Sequence, residues 1–127
     1  MTSYLLVGAG GAIGAMLRFG YSSIMGRLWP SDFPHGTLVI NIAGSLLMGL
    51  LVGVLARTLP EGQENIRLFA AVGILGGFTT FSTFSLDALT LIQRGQFAMA
   101  LVYILLSVLF SIAGVYVGLL LTRGAIA

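Results

Sequence analysis

Gly73-Ile-Leu-Gly-Gly-Phe-Thr-Thr-Phe-Ser-Thr-Phe-Ser85 lies in the middle of an apolar segment, 66–92, long enough to cross a membrane. It holds three glycines, three threonines, two serines and three phenylalanines. Such a run is a poor continuous helix. Glycine costs about 1 kcal/mol relative to alanine in a helix interior, and threonine loses side-chain freedom there. In hydrocarbon, non-helical backbone survives only where protein or a watery cavity satisfies it. The stretch therefore predicts a helix broken near the bilayer midplane, with its freed carbonyls and hydroxyls turned inward. Broken helices at that depth build ion sites.

The surrounding chain has the composition this requires. Of its 127 residues 57% are hydrophobic and 8% charged, and the mean hydropathy is +1.05. A soluble domain of this length does not carry so little charge. The expectation is one all-α integral membrane domain over 1–127, in contact with the lipid bilayer along its length. Four apolar stretches reach spanning length, at 4–25, 37–55, 66–92 and 97–122. Between them lie a turn-rich loop, Trp29-Pro-Ser-Asp-Phe-Pro-His-Gly36, a hydrophilic loop at 57–65, and a tight turn, Gln93-Arg-Gly-Gln96. The last predicts antiparallel neighbours. The N-terminal apolar run lacks a basic n-region and a clear cleavage site, and is expected to be a retained span.

All six basic residues are arginines, scattered along the chain, so no nucleic-acid patch forms and no nucleic-acid partner is expected. No cysteine is present, which excludes disulfides and thiolate metal sites. Four spans place Arg57, Arg67 and Arg123 on one side, and Arg27, Arg94 and an outward-reaching Arg18 on the other. That balance sets no orientation. It fits both a protein fixed by a partner and insertion in both orientations as an antiparallel dimer.

Polar residues inside the spans fall in register. Thr37, Asn41 and Ser45 are spaced by four on one helix face, as are Tyr103, Ser107 and Ser111. Asn41 stands out, because an amide buried in lipid needs partners. Neutral donors without a ring of carboxylates do not suit a cation channel. They suit a small anion bound by N–H and O–H groups. Phe81 and Phe84 lie three apart, and aromatic edges are positive, so a ring edge can face an anion. Phenylalanine beside a glycine break also simply fills space, and spacing does not choose between the two. Gly10-xxx-Gly14, Gly49-xxx-Gly53 and Gly114-xxx-Gly118 mark faces where helix backbones approach closely.

Three pieces carry a family resemblance: Gly10-Gly-Ala-Ile-Gly-Ala-Met-Leu-Arg18, Gly36-Thr-Leu-Val-Ile-Asn41-Ile-Ala-Gly44 and Gly76-Gly-Phe-Thr-Thr-Phe-Ser-Thr-Phe-Ser85. In that order, over essentially the whole chain, they resemble the Fluc/CrcB fluoride channels. The resemblance implies passive fluoride efflux that protects the cell from fluoride toxicity, from a multi-pass protein of the bacterial plasma (inner) membrane. It implies an antiparallel, dual-topology homodimer with two fluoride pores. It implies a structural sodium ion at the dimer centre, held by the backbone carbonyls of Gly76 and Thr79 from both subunits. The pore residues would be Asn41, Phe81, Phe84, Tyr103, Ser107 and Ser111, with the hydroxyls of Ser82 and Thr83 contributing and Arg18 near the entrance. Members of the family often have glutamate where this chain has Asp87.

Two other classes are weighed by their chemical needs. A small dual-topology multidrug exporter needs a membrane-embedded carboxylate to exchange protons, and the first span has none. A non-transporting assembly subunit explains the glycine faces but neither the polar stripes nor the break. Enzyme activity has no acid–base–nucleophile set, since the only histidine, His35, is in a loop.

Overall fold

A computed structural model describes residues 1–57 and 63–123. Most of the hydrophilic loop read at 57–65 lies outside the described residues. Among those residues the fold is wholly helical, without strands. Four helical segments are long and apolar enough to cross a membrane.

Helix α1 runs Thr2–Leu28 and α2 runs His35–Arg57. Both continue beyond their apolar stretches, because the flanking polar residues keep helical hydrogen bonding. The third segment is composite. It starts as α3 (Gln63–Ile66), widens into a π-helix over Arg67–Leu75, returns to α-geometry in α4 (Gly76–Phe78) and resumes as α5 (Ser82–Gln93). Between α4 and α5, Thr79 is extended, at φ −86° and ψ 159°. Helix α6 runs Phe97–Arg123. The turn before it is a Schellman cap: Gln96 N–H donates to Leu91 C=O at 2.9 Å and Gly95 N–H to Ile92 C=O at 3.0 Å. Gly95 supplies the left-handed φ of +79° that this cap requires.

Two backbone-to-backbone contacts organise the fold. Helix α1 packs on the π-helical stretch and α4, and α2 packs along α6. Glycine makes both possible. A Cβ on Gly10 or Gly14 would run into the carbonyls of Phe69 and Ile74. One on Gly49 would strike Val115 C=O, and one on Gly118 would come within 2.6 Å of Leu46 C=O. Close approach of this kind replaces the hydrophobic drive that lipid removes.

The buried core is small and sits at one end. Phe84, Ala88 and Leu91 of α5 meet Ala100 and Tyr103 of α6. Ile40 and Leu75 are also buried, but many large apolar side chains elsewhere point outward, among them Met16 and Phe19 on α1 and Ile112 and Leu121 on α6. In water such a surface would aggregate; in a bilayer it is the solvated surface. At the core end, Asp32 of the first loop pairs with Arg94 at 3.7 Å and accepts from Gln96 at 3.1 Å. These bonds tie the α1–α2 loop to the α5–α6 turn.

Candidate functional site

The interruption at 79–81 opens onto a cavity of about 470 Å³. Asn41 and Ser45 of α2, Ser107 and Ser111 of α6, and Phe81 and Phe84 beside the interruption all line it. Thus the two polar stripes, on α2 and α6, face one another. No charged side chain is among the lining residues.

Each polar group has a definite state. Asn41 makes a two-point clamp: its Nδ2 donates to Thr80 C=O at 3.0 Å, and its Oδ1 accepts from Thr80 N–H at 2.9 Å. The amide thereby pairs with both backbone groups of one residue, Thr80, much as a neighbouring strand would. One Nδ2 hydrogen remains for the cavity. The hydroxyls of Ser107 and Ser111 are buried and have no hydrogen-bond partner among the described residues. Serine in a membrane helix commonly bonds its own helix four residues back, as Thr79 does to Leu75 C=O at 3.0 Å and Thr122 to Gly118 C=O at 2.8 Å. These two serines do not. An unpaired buried hydroxyl costs about 1–3 kcal/mol, so both hydroxyls are donors left for a water or an ion.

Phe81 and Phe84 touch, with ring centroids 5.5 Å apart and planes at 48°. Their environments differ. Phe84 is 8% exposed and belongs to the core, whereas Phe81 is 77% exposed at the open side of the cavity. Gly76 and Thr79 line the same cavity. Gly76 has no side chain, so what it offers is backbone.

The remaining sequence candidates lie around this cavity and do not line it. The Tyr103 side chain is fully buried, its ring centroid 5.2 Å from that of Phe84, and its hydroxyl donates to Asp87 Oδ2 at 3.1 Å. Asp87 in turn lines a second cavity of about 380 Å³, with Ser22, Trp29, His35 and Thr37. Tyr103 therefore stands between the two cavities. Ser82 Oγ lies 3.3 Å from Thr80 Oγ1, and Thr83 N–H donates to Thr80 Oγ1 at 3.2 Å, which starts α5. Arg18 reaches across from α1, and its Nε donates to Gly77 C=O at 3.1 Å.

Thr80 and Gly44 escaped the sequence reading as site residues. Thr80 is the hub that Asn41, Ser82 and Thr83 share. Its signal was a threonine two residues before the helical run that starts at Ser82, placed to accept from the N–H three residues on. Gly44 lies against the Thr79 methyl group, and a Cβ there would collide with it. Its partner is distant in sequence, so only the fold reveals the contact.

The chain is similar to known proteins over nearly its whole length. The family described as CrcB-like protein, Camphor Resistance (CrcB), matches residues 5–119. A fluoride-specific ion channel FluC of Paracoccus denitrificans is 49% identical over 125 residues, covering 98% of each chain. Another of that name, from Agrobacterium fabrum, is 50% identical over 123 residues, covering 97% of this chain and 98% of the relative. One from Rhodopseudomonas palustris is 48% identical over 121 residues, covering 95% and 97%.

Proposed function

Since this chain belongs to the CrcB-like family, with close relatives that are named fluoride-specific ion channels, we propose that it is a fluoride-selective channel. It is a multi-pass membrane protein. The single observation that carries the mechanism is the pair of unpartnered, buried hydroxyls of Ser107 and Ser111 beside Asn41 and the two phenylalanines. A fluoride ion is small, strongly hydrated and a strong hydrogen-bond acceptor. Shedding its water is tolerable only where hard O–H and N–H donors replace it. Serine hydroxyls, the spare amide hydrogen of Asn41 and the positive edges of Phe81 and Phe84 supply such replacements without a fixed cation that would hold the ion. Arg18 adds positive charge beside the interruption and favours access of an anion.

In this reading the ion passes along Asn41, Phe81, Phe84, Ser107 and Ser111 and on past Tyr103, with the hydroxyls of Ser82 and Thr83 beside the route. Each position binds well enough to replace water and weakly enough to release. Flow is passive, outward when internal fluoride is high, and protects a bacterial cell across its inner membrane. The functional unit is an antiparallel homodimer with two pores. The exposure of Phe81 on the open side of the cavity supports it, because a second copy seated there would close the wall. The interruption of the third segment then lies near the midplane.

Gly76 and Thr79 also fit a hard cation. Neither carbonyl accepts a hydrogen bond among the described residues, and both residues line the cavity. Neutral oxygen donors of this kind suit sodium, which would sit between the two subunits as a structural ion. It would supply positive charge that holds the two interruptions together. A proton-coupled drug exporter is disfavoured, because no carboxylate is found on α1 or in the cavity lining.

The test is Phe81→Ile and Asn41→Asp in liposomes. Both variants are expected to slow fluoride efflux at least about tenfold, the weight of one lost charge-assisted contact. Undiminished efflux in both, with folded protein, would sink this assignment of the pathway.

A further inference from the structure

The interruption at 79–81 raises a question of hydrogen-bond accounting. A continuous helix here would need Thr80 N–H on Gly76 C=O, Phe81 N–H on Gly77 C=O and Thr83 N–H on Thr79 C=O. In each pair one member has another partner, and the helical bond itself does not form. Asn41 Oδ1 takes Thr80 N–H at 2.9 Å. Arg18 Nε occupies Gly77 C=O at 3.1 Å. Thr80 Oγ1 takes Thr83 N–H at 3.2 Å. The carbonyls of Gly76 and Thr79 are left over because their helical donors have been claimed by others.

We propose that Arg18 and Asn41 are positioning residues, which hold the third segment open from α1 and α2 and thereby determine that the carbonyls of Gly76 and Thr79 stay free. Neither acts alone. Arg18 anchors Gly77 C=O to α1, where no bond from Phe81 N–H forms, and Asn41 takes the donor of the bond before it. Asn41 also donates to Thr80 C=O at 3.0 Å, so both backbone polar groups of the turned-out Thr80 are satisfied. A side chain has to do this work because hydrocarbon offers no water to an open peptide. The arginine is suited to it, since its Nε–H sits four atoms out along a stem that threads between α1 and α4. The account deepens the proposed cation site: the same diversion that breaks the helix makes the ligands.

The role is separable from the charge of Arg18. Glutamine places an amide nitrogen at the same atom position as arginine Nε and carries no charge. Lysine keeps the charge and has a methylene at that position. The experiment uses full-length protein with 13C-labelled threonine, and the Cα and Cβ shifts of Thr79 report whether it is extended or helical. Thr122 reports that α6 is folded. Arg18→Gln is expected to keep Thr79 extended, and Arg18→Lys and Asn41→Ala to move it toward helical values. A second arm measures the sodium concentration at half-maximal thermal stabilisation, with a bulky organic cation as replacement. Arg18→Lys should need about tenfold more sodium, the effect of losing the hydrogen bond to Gly77 C=O, and Arg18→Gln no more than wild type.

If Arg18 acts only through its field, the order reverses: lysine behaves as wild type, and glutamine changes sodium affinity. That result overturns the proposal, as does an extended Thr79 in all three variants. Should wild type show no response to sodium while the threonine shifts follow the expected pattern, the cation reading falls and the positioning role stands. Should Asn41→Ala fail to fold, the lysine–glutamine pair decides alone.

Discussion

Replacing Ser107 and Ser111 together with alanine should separate function from stability. Both hydroxyls are buried, and neither has a partner among the described residues. Without an ion, the protein carries two desolvated donors, each costing about 1–3 kcal/mol. Removing them breaks no intramolecular hydrogen bond and leaves a void of only one oxygen atom per site. The double variant is therefore expected to be as stable as wild type or more so, by up to a few kcal/mol. Transport should move the other way. A hydrogen bond to a charged partner contributes about 1.5–3 kcal/mol, so losing one slows passage about tenfold or more, and losing both more steeply. The assays are fluoride efflux from liposomes and thermal unfolding of the same preparation in fluoride-free buffer. A fall in the unfolding midpoint with unchanged efflux would refute the reasoning, because it would mean that the hydroxyls serve the fold.

Gly44→Ala should abolish rapid fluoride efflux, because its Cβ would collide with the Thr79 methyl and Thr79 is pinned to Leu75. Gly36→Ala on the same helix is its control: a Cβ there meets nothing nearer than 3.9 Å, and efflux should be unaffected. Gly95→Ala should destabilise the fold by about 1–2 kcal/mol in thermal unfolding, because φ is +79° there, while efflux per folded protein stays unchanged. Gly118→Val should prevent folding or strongly destabilise the protein, since α2 backbone lies within 2.6 Å of the Cβ position; size-exclusion chromatography reads the loss.

Much of this architecture was legible from residue spacing. Four apolar stretches became four helical segments, and the Gly10/Gly14 and Gly114/Gly118 pairs sit where backbones meet. The stripes through Asn41 and Ser107 converge on one cavity because a four-residue period survives in any packed helix. What spacing could not carry was long-range pairing. Arg18 finds Gly77 across 59 positions, and Asn41 finds Thr80 across 39. Nothing local in the chain announces either bond. The π-helical widening over Arg67–Leu75 was also invisible, because a change in hydrogen-bond register leaves no mark on a run that is apolar from Leu68 onward. Phe81 and Phe84 show a further limit. They are neighbours that line one cavity, as their spacing suggested, yet one is core and the other exposed, a difference that spacing alone does not give.

The central claim is a fluoride-selective pathway. Purified protein in liposomes loaded with fluoride, followed with a fluoride electrode and compared with chloride release from matched vesicles, tests it most directly. The account predicts fast fluoride release with chloride retained. Release no faster than from protein-free liposomes, with the protein folded, would contradict it, as would equal leakage of both ions.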